Sequence, residues 1–391
     1  MKGTFFTKKR IIITAVCALI LILLLGFIGT TEEDDSIVPE PEGVSEGYVN
    51  LEDLDLDQLI EDGNVAANYT FDDESQVDVP EPNPASDFEY ELTDDNNGVR
   101  IKKYKGTNPV ISIPSQIEGL SVLEISDDFI PDVYRSGYRK DHYYSEEDTI
   151  IDVSQVFIPD SVTTIIAVEH SYGLFDQCGY LNYAKLSKNC PVITPQMFRG
   201  CESLKNFQIP ESVTTIGNKA FADSGLTSIQ IPESVVNFGW RIFEFCEKLS
   251  SVKLPDTMTF IPGGMFSYCD ALKTIELPSR VEKLEYQCFG NSGISEIKLP
   301  QNLKEIGENC FWCCSSLESI EIPKSVKKIE RNAFTGTHIT EFIIPDSVTE
   351  LDVFGDIDNL EVLRLPNSLK KIDRYLIGDD SRKTLRSVNL P

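Results

Sequence analysis

A β-rich solenoid, wound right-handed around a parallel sheet, is the fold class this sequence predicts. Three observations predict it. Proline returns every 21 to 25 residues, at Pro210, Pro232, Pro255, Pro278, Pro300, Pro323, Pro345, Pro366 and Pro391, with Ser187, Pro159 and Pro114 continuing the series upstream. Between returns runs one pattern, Leu-x-x-Ile-x-Ile-Pro-x-x-Val-x-x-Ile-Gly-x-x-Ala-Phe-x-x-Cys. Each unit has a single apolar side that it cannot bury alone, so stacked neighbours must bury it together.

The unit from Leu204 shows how each piece earns its place. Leu204, Phe207 and Ile209 read as a strand with Phe207 and Ile209 turned inward. Pro210 closes it, because a strand end need not donate to the ladder. Val213 and Ile216 point inward from a second short extended piece, Gly217 permits the bend, and Ala220-Phe221 occupies a turn. The inward set is expected to include Phe207, Ile209, Val213, Ile216, Phe221, Ile275, Phe289 and Ile322. Ten to twelve rungs at ~4.8 Å give a length of roughly 50 Å. At the level of "IP.SVT.IG..AF..C..L" the chain, over about residues 88 to 391, closely resembles the BspA-like subclass of leucine-rich repeat proteins. These are surface repeats of anaerobic bacteria and trichomonads. The resemblance implies a bacterial cell-surface adhesion or host-contact protein.

Ahead of the array the sequence changes character twice. Residues 11–29, "IIITAVCALILILLLGFIG", carry no charge and are long enough, at ~1.5 Å per residue, to span a bilayer. Lys8, Lys9 and Arg10 precede them and Glu32, Glu33, Asp34 and Asp35 follow. That asymmetry places a tail, 1–10, in the cytoplasm and the rest outside a single-pass cell-membrane anchor. A cleaved signal peptide is the alternative, less favoured because Phe27 stands where a small residue is expected. Residues 31 to 99 hold 23 acidic residues and no Lys or Arg, so most of the net charge of −28 lies there and residues 100 to 391 carry only −9. With its Pro-Glu punctuation, 30–85 reads as a disordered, self-repelling acidic stalk below a solenoid spanning 86–391. No basic stripe exists to neutralise phosphates, which disfavours nucleic acid. "FEYELTDDNNGVRIKKY" alternates on both sides of Asn97-Gly98, and this hairpin, 88–104, is expected to cap the core. No such cap is visible at the C-terminus.

Little in the sequence suggests catalysis. There are three histidines, no phosphate loop, no nucleophile elbow and no metal-ligand spacing, so no enzyme activity, cofactor or metal is expected. Cys178, Cys201, Cys246, Cys269 and Cys314 share one place in the repeat, where other units put Ser224, Ser292 and Thr337. That interchange asks for a small weak donor turned toward backbone carbonyls. Free buried thiols are the expectation, although neighbouring rungs also lie within bridging range at Cys246–Cys269 or Cys288–Cys310. On the outward strand face Lys253, Glu276, Lys298 and Glu321 alternate in sign and are expected to satisfy one another.

Two groups of residues remain as candidates for partner contact. Trp240, Phe245, Tyr268, Tyr286 and Trp312 gather around the turn, opposite the long strands, either as packing across the loops or as contact anchors. An insertion of about 17 residues, 131–148, breaks the period. With Tyr172 in the next unit it supplies Tyr134, Arg135, Tyr138, Arg139, His142, Tyr143 and Tyr144, a Tyr/Arg composition of contact-surface type. A merely solvated loop is the other reading. The function expected is a non-enzymatic module that binds a protein or glycan on another cell or matrix surface. The alternative is an envelope spacer or self-assembling element, joined through an uncapped C-terminal edge.

Overall fold

The computed structural model of the protein describes residues 79–131, 152–167, 173–353, 355–369 and 376–389. They form a solenoid of about 11 turns with parallel sheets. Each turn is built from the same local events. The proline carbonyl accepts the N–H three residues on, as in Val213 to Pro210 (3.0 Å) and Val281 to Pro278 (3.1 Å), so the chain reverses directly after the first strand. The second strand follows at once, and its inward side chains Ile193, Ile216, Ile261, Leu284, Ile306 and Ile329 are buried. Every residue of the expected inward set is buried.

Two strand ladders therefore run along the molecule, and neither is continuous. The first contains Ser228–Gln230 paired with Ser251–Lys253, then Thr274–Ile275 with Glu296–Ile297, then Glu341–Ile343, Val362–Arg364 and Ser387–Asn389. Phe207 and Ile209 are buried as expected, yet residues 204–210 form no strand. The second ladder joins Val192–Ile193, Thr215–Ile216 and Asn237–Phe238, stops, and resumes from Phe260–Ile261 to Glu350–Leu351. The stop has a chemical cause. Gly217 and Gly239 each donate their N–H to the preceding rung, at Ile193 and Ile216 (2.8 Å both). The equivalent residue in the next unit is Pro262, which has no N–H to offer Phe238.

The turn around each phenylalanine forms a third ladder, and this one is unbroken across the Pro262 interruption. Arg241, Phe243 and Phe245 donate N–H groups to Gly263, Met265 and Ser267 of the next unit at 2.9, 3.0 and 2.9 Å. Inside it the rings of Phe175, Phe198, Phe221, Phe243, Phe266, Phe289, Phe311 and Phe334 stack in sequence, with centroids 5.3 to 5.8 Å apart. The bend expected at Gly217 is made differently. The left-handed residue is Lys219 (φ 55°), whereas Gly217 serves close approach, since a Cβ there would lie 2.5 Å from the Pro195 nitrogen.

At the N-terminal end Phe88–Leu92 and Val99–Tyr104 pair antiparallel, and the second of them pairs parallel with Leu120–Ser126 and through it with Thr164–Ile166, a sheet separate from the one that begins at Val192–Ile193. Phe88, Tyr104 and Phe129 pack together over the end of the core at 5.5 to 6.4 Å. The connection is longer than an Asn-Gly turn. Leu92 faces Val99, and the left-handed residue is Asn96, because the Asp95 carboxylate holds the loop by accepting from the Thr93 hydroxyl (2.6 Å) and the Asn97 N–H (3.0 Å). In the last unit a short helix, Asp379–Thr384, replaces the phenylalanine turn before the strand Ser387–Asn389.

Candidate functional site

The inside of the array is fixed by the repeat, so a site must be sought on its outer surfaces. The thiol column faces inward. Cys201, Cys246, Cys269 and Cys314 donate to the carbonyls of Phe175, Phe221, Phe243 and Phe289 at 3.0 to 3.2 Å, each reaching back to the preceding unit. Ser224 and Ser292 sit beside Cys246 and Cys314 at 3.3 and 3.5 Å. All nine cysteines among the described residues are free thiols, and all but Cys313 are buried. Burial pushes the Cys246 thiol up to about 11 and the Cys314 thiol up to about 12, which makes both inert as nucleophiles near neutrality.

The outward face of the first ladder does not carry the expected charge pairing. Lys253, Glu276, Lys298 and Glu321 are all exposed, and no ion pair links them among the described residues. Residues 276 and 298 fall beyond the paired spans Thr274–Ile275 and Glu296–Ile297. Fully solvated side chains gain too little from pairing to freeze their rotamers. Farther along, the same face forms a groove of about 1280 Å³ whose lining includes Glu321, Ile343 and Arg364.

Ion pairs instead run along the second ladder. Glu305 bridges Lys283 and Lys328 at 3.4 Å each, Lys328 also holds Glu330, and Lys304 meets Glu282 at 2.7 Å. The hydrogen bond that the Lys328 ammonium donates to the Glu330 carboxylate raises its pKa above the ordinary lysine range. A further pair lies deeper: the Arg199 guanidinium grips the fully buried Asp176 carboxylate with two bonds of 2.7 Å. Among the described residues no group of three His, Cys, Asp or Glu side chains is placed to hold a metal ion.

Of the candidate contact residues, Tyr134, Arg135, Tyr138, Arg139, His142, Tyr143, Tyr144 and Tyr172 lie outside the described residues. So does the apolar segment 11–29; among the described residues no helix is long and apolar enough to cross a membrane. The turn aromatics divide. Phe245 and Tyr268 stack on each other at 4.4 Å and 22° between planes. Both have left-handed backbone, at φ 63° and 60°, where sister units place Gly200, Asp223, Asn291, Cys313 and Gly336. A bulky residue there costs on the order of 1 kcal/mol. Phe245 is 43% exposed and lies against a small concavity of about 160 Å³ lined also by Glu202, Asp223, Glu247 and Lys248. Trp312 and Tyr268 are half-buried, which fits packing across the loops. Trp240 and Tyr286, at 66% and 48% exposure, do not pack away. They share one place directly after the second strand, two units apart.

The repeat pattern and the three ladders carry the assignment to a family, and the sequence profile of the BspA type leucine rich repeat region matches over 168–294, 238–354 and 287–391, more than half of the chain. The chain belongs to the BspA type leucine rich repeat family. Among solved structures the BspA-type array is similar to a leucine-rich repeat protein from Bacteroides ovatus, at 26% identity over 77% of this chain and 69% of that one, with TM-score 0.54. It also aligns with the leucine rich repeat protein of T. pallidum (29% identity, 54% of this chain and 89% of that one, TM-score 0.45). The pneumococcal vaccine antigen PcpA aligns at 19% identity over 78% of this chain and 87% of that one, with TM-score 0.45. No curated protein matches the chain.

Proposed function

We propose that this BspA-type protein is a non-catalytic binding module of the cell surface, anchored by residues 11–29 and displayed outside the membrane on the acidic segment 30–85. Its partner is a protein or glycan on another cell or matrix surface. Proteins built of this repeat are typically surface-exposed binding modules, and family membership supports the class of function. The observation that carries the reading for this chain is the exposure of Trp240, Phe245 and Tyr286 close together in the array, outside a column of stacked phenylalanines that is fully buried; Tyr180 is a further exposed ring. Large rings in water are tolerated singly, but several on one rigid edge mark a contact surface. The insertion 131–148 belongs to the same proposal as a second contact element, since loops on a rigid scaffold commonly carry recognition.

Protease added to intact cells tests the topology: loss of the array is expected, and full protection refutes surface display. Deletion of 131–148 in the full chain is expected to weaken attachment to immobilised matrix or cells while thermal unfolding barely changes. Undiminished attachment removes the insertion from the site. Self-association along Ser387–Asn389, whose three side chains are exposed, is the second reading. Light scattering of the full chain in detergent decides it: concentration-dependent growth supports assembly, and a constant mass excludes it.

A further inference from the structure

The outer face of the second ladder changes character part-way along the array. The stretches 191–195, 214–218, 236–240 and 259–263, equivalent places in four successive units, contain no charged residue, in a chain with 63 acidic and 35 basic residues. The next three equivalents, 282–286, 304–308 and 327–331, are crowded with Glu and Lys, several joined in the cross-rung ion pairs described above. In the uncharged half the exposed groups are hydroxyls, amides and apolar side chains, among them Thr214, Thr259, Asn218, Asn237, Val236 and Trp240. Tyr286 stands at its border.

Neighbouring charges are already engaged. Lys219 and Arg241 both hold Glu244, at 3.3 and 3.4 Å, and Glu285 accepts the Gly263 N–H at 3.2 Å. Asn218 fixes the Trp240 backbone by accepting its N–H at 2.8 Å. Trp240 and Tyr286 occupy the same place two rungs apart, with Gly263 between them. At ~4.8 Å per rung their backbones are roughly 10 Å apart. Each ring thus stands on its own platform, and a side chain that would fill the space between is missing.

We infer that this face binds a neutral polysaccharide strand, with two sugar rings seated on Trp240 and Tyr286. The C–H face of a pyranose packs on an aromatic ring. Its hydroxyls can donate to Thr214, whose own proton goes to the Pro191 carbonyl, and exchange hydrogen bonds with Thr259. They also exchange hydrogen bonds with the Asn237 amide, which gives one N–H to Thr215 and keeps its second N–H and its oxygen. A basic protein partner finds no carboxylate to pair in these four stretches, and most of the net charge of −28 lies in residues 31 to 99. A polyanion finds no basic side chain in these four stretches. The inference rests on the binding-module reading and narrows it to one face and one ligand class.

Affinity electrophoresis of the full chain in native detergent gels tests it, with a soluble β-glucan, a mannan or a xylan cast into separate gels and heparin as the anionic control. At least one neutral polymer is expected to retard the protein, with little change at raised salt. Trp240→Ala/Tyr286→Ala should weaken retardation at least tenfold with thermal unfolding unchanged, and Trp240→Phe/Tyr286→Phe should preserve most of it. Absence of retardation by all three neutral polymers, retardation by heparin alone, or equal retardation of the alanine variant overturns the inference. Attachment to immobilised cells or matrix that survives the alanine substitutions leaves the binding-module reading standing while this inference falls. Failure to attach to any surface sinks both.

Discussion

Phe289→Ala probes the element on which the array most depends. Phe289 lies in the middle of the ring stack, fully buried, with Phe266 at 5.6 Å and 14° on one side and Phe311 at 5.5 Å and 7° on the other. Truncation to Ala removes the ring from water-free packing and leaves a cavity, which costs about 3–5 kcal/mol in well-packed cores. Two ring–ring contacts are lost as well, each worth roughly 0.5–1.5 kcal/mol beyond area. The site cannot collapse easily, because the Phe289 N–H is tied to Cys310 (3.0 Å) and its carbonyl accepts the Cys314 thiol (3.0 Å). A loss near 5 kcal/mol is therefore expected. Phe289→Leu, which keeps most of the volume, is expected to cost only about 1–1.5 kcal/mol. Urea unfolding followed by circular dichroism measures the difference. A stacked array is stabilised rung by rung, so hydrogen exchange should also quicken in the units on either side of 289 before distant ones. A loss under about 1 kcal/mol, or uniform acceleration from end to end, refutes the ring stack as the supporting spine.

Asp176→Ala strands Arg199 beside a buried site and is expected to cost about 3 kcal/mol, whereas Lys304→Ala, at a pair open to water on both sides, should cost under about 1 kcal/mol; urea unfolding of the two variants checks the contrast. Alkylation of the native protein near pH 8 is expected to spare the eight buried thiols and to label Cys313, with every cysteine labelled after denaturation, as read by peptide mass. Stability should fall as pH rises from about 9: the unfolded thiols ionise there, while Cys246 and Cys314 keep their protons to about 11 and about 12 in the fold, so the unfolded state binds fewer protons across that window. A thermal midpoint unchanged between pH 8.5 and pH 11, read against the reduced protein at constant ionic strength, would falsify the burial argument.

How much of this was legible in the sequence depends on which side of the chain a residue faces. The inward columns could be read, because burial demands the same apolar size in every unit and so leaves a period; Phe221, Ile216 and Cys246 announce themselves by their equivalents. The outward columns were harder. The alternation of Lys253, Glu276, Lys298 and Glu321 reads as pairing only if the side chains lie side by side, and solvent removes the reason for them to do so. The ion pairs of Lys283, Glu305 and Lys328 were equally open to inspection, but they belong to the shorter strand. Its sequence context makes Gly217 look like a residue needed for backbone freedom, whereas the constraint on it is the crowding Pro195 backbone. The interruption at Pro262 is written in the sequence, since a proline stands where other units need an N–H. Recognising it required knowing which N–H groups bridge the rungs.

The same division bears on where the proposed recognition would reside. Each unit must supply the stacking phenylalanine, the small donor behind it and the inward aliphatic residues, so those places carry no information about a partner. Left-handed turn places are least costly for Gly, Asn and Asp, as at Gly200, Asn291 and Asp223, yet Gln177, Cys313, Phe245 and Tyr268 occupy four of them at the expense of strain. The second-ladder surface needs only solubility, which the charged half achieves with Lys and Glu, while the stretch from 191 to 263 carries Thr, Asn and aromatic residues instead. Neither choice is required by the solenoid, because sister units fold without it. Departures of this kind, spread over the four units whose second-ladder stretches are 191–195, 214–218, 236–240 and 259–263, lie on the outer surface, where the proposed recognition would act. Under the proposed function a substitution there is expected to alter what is bound while thermal unfolding stays unchanged.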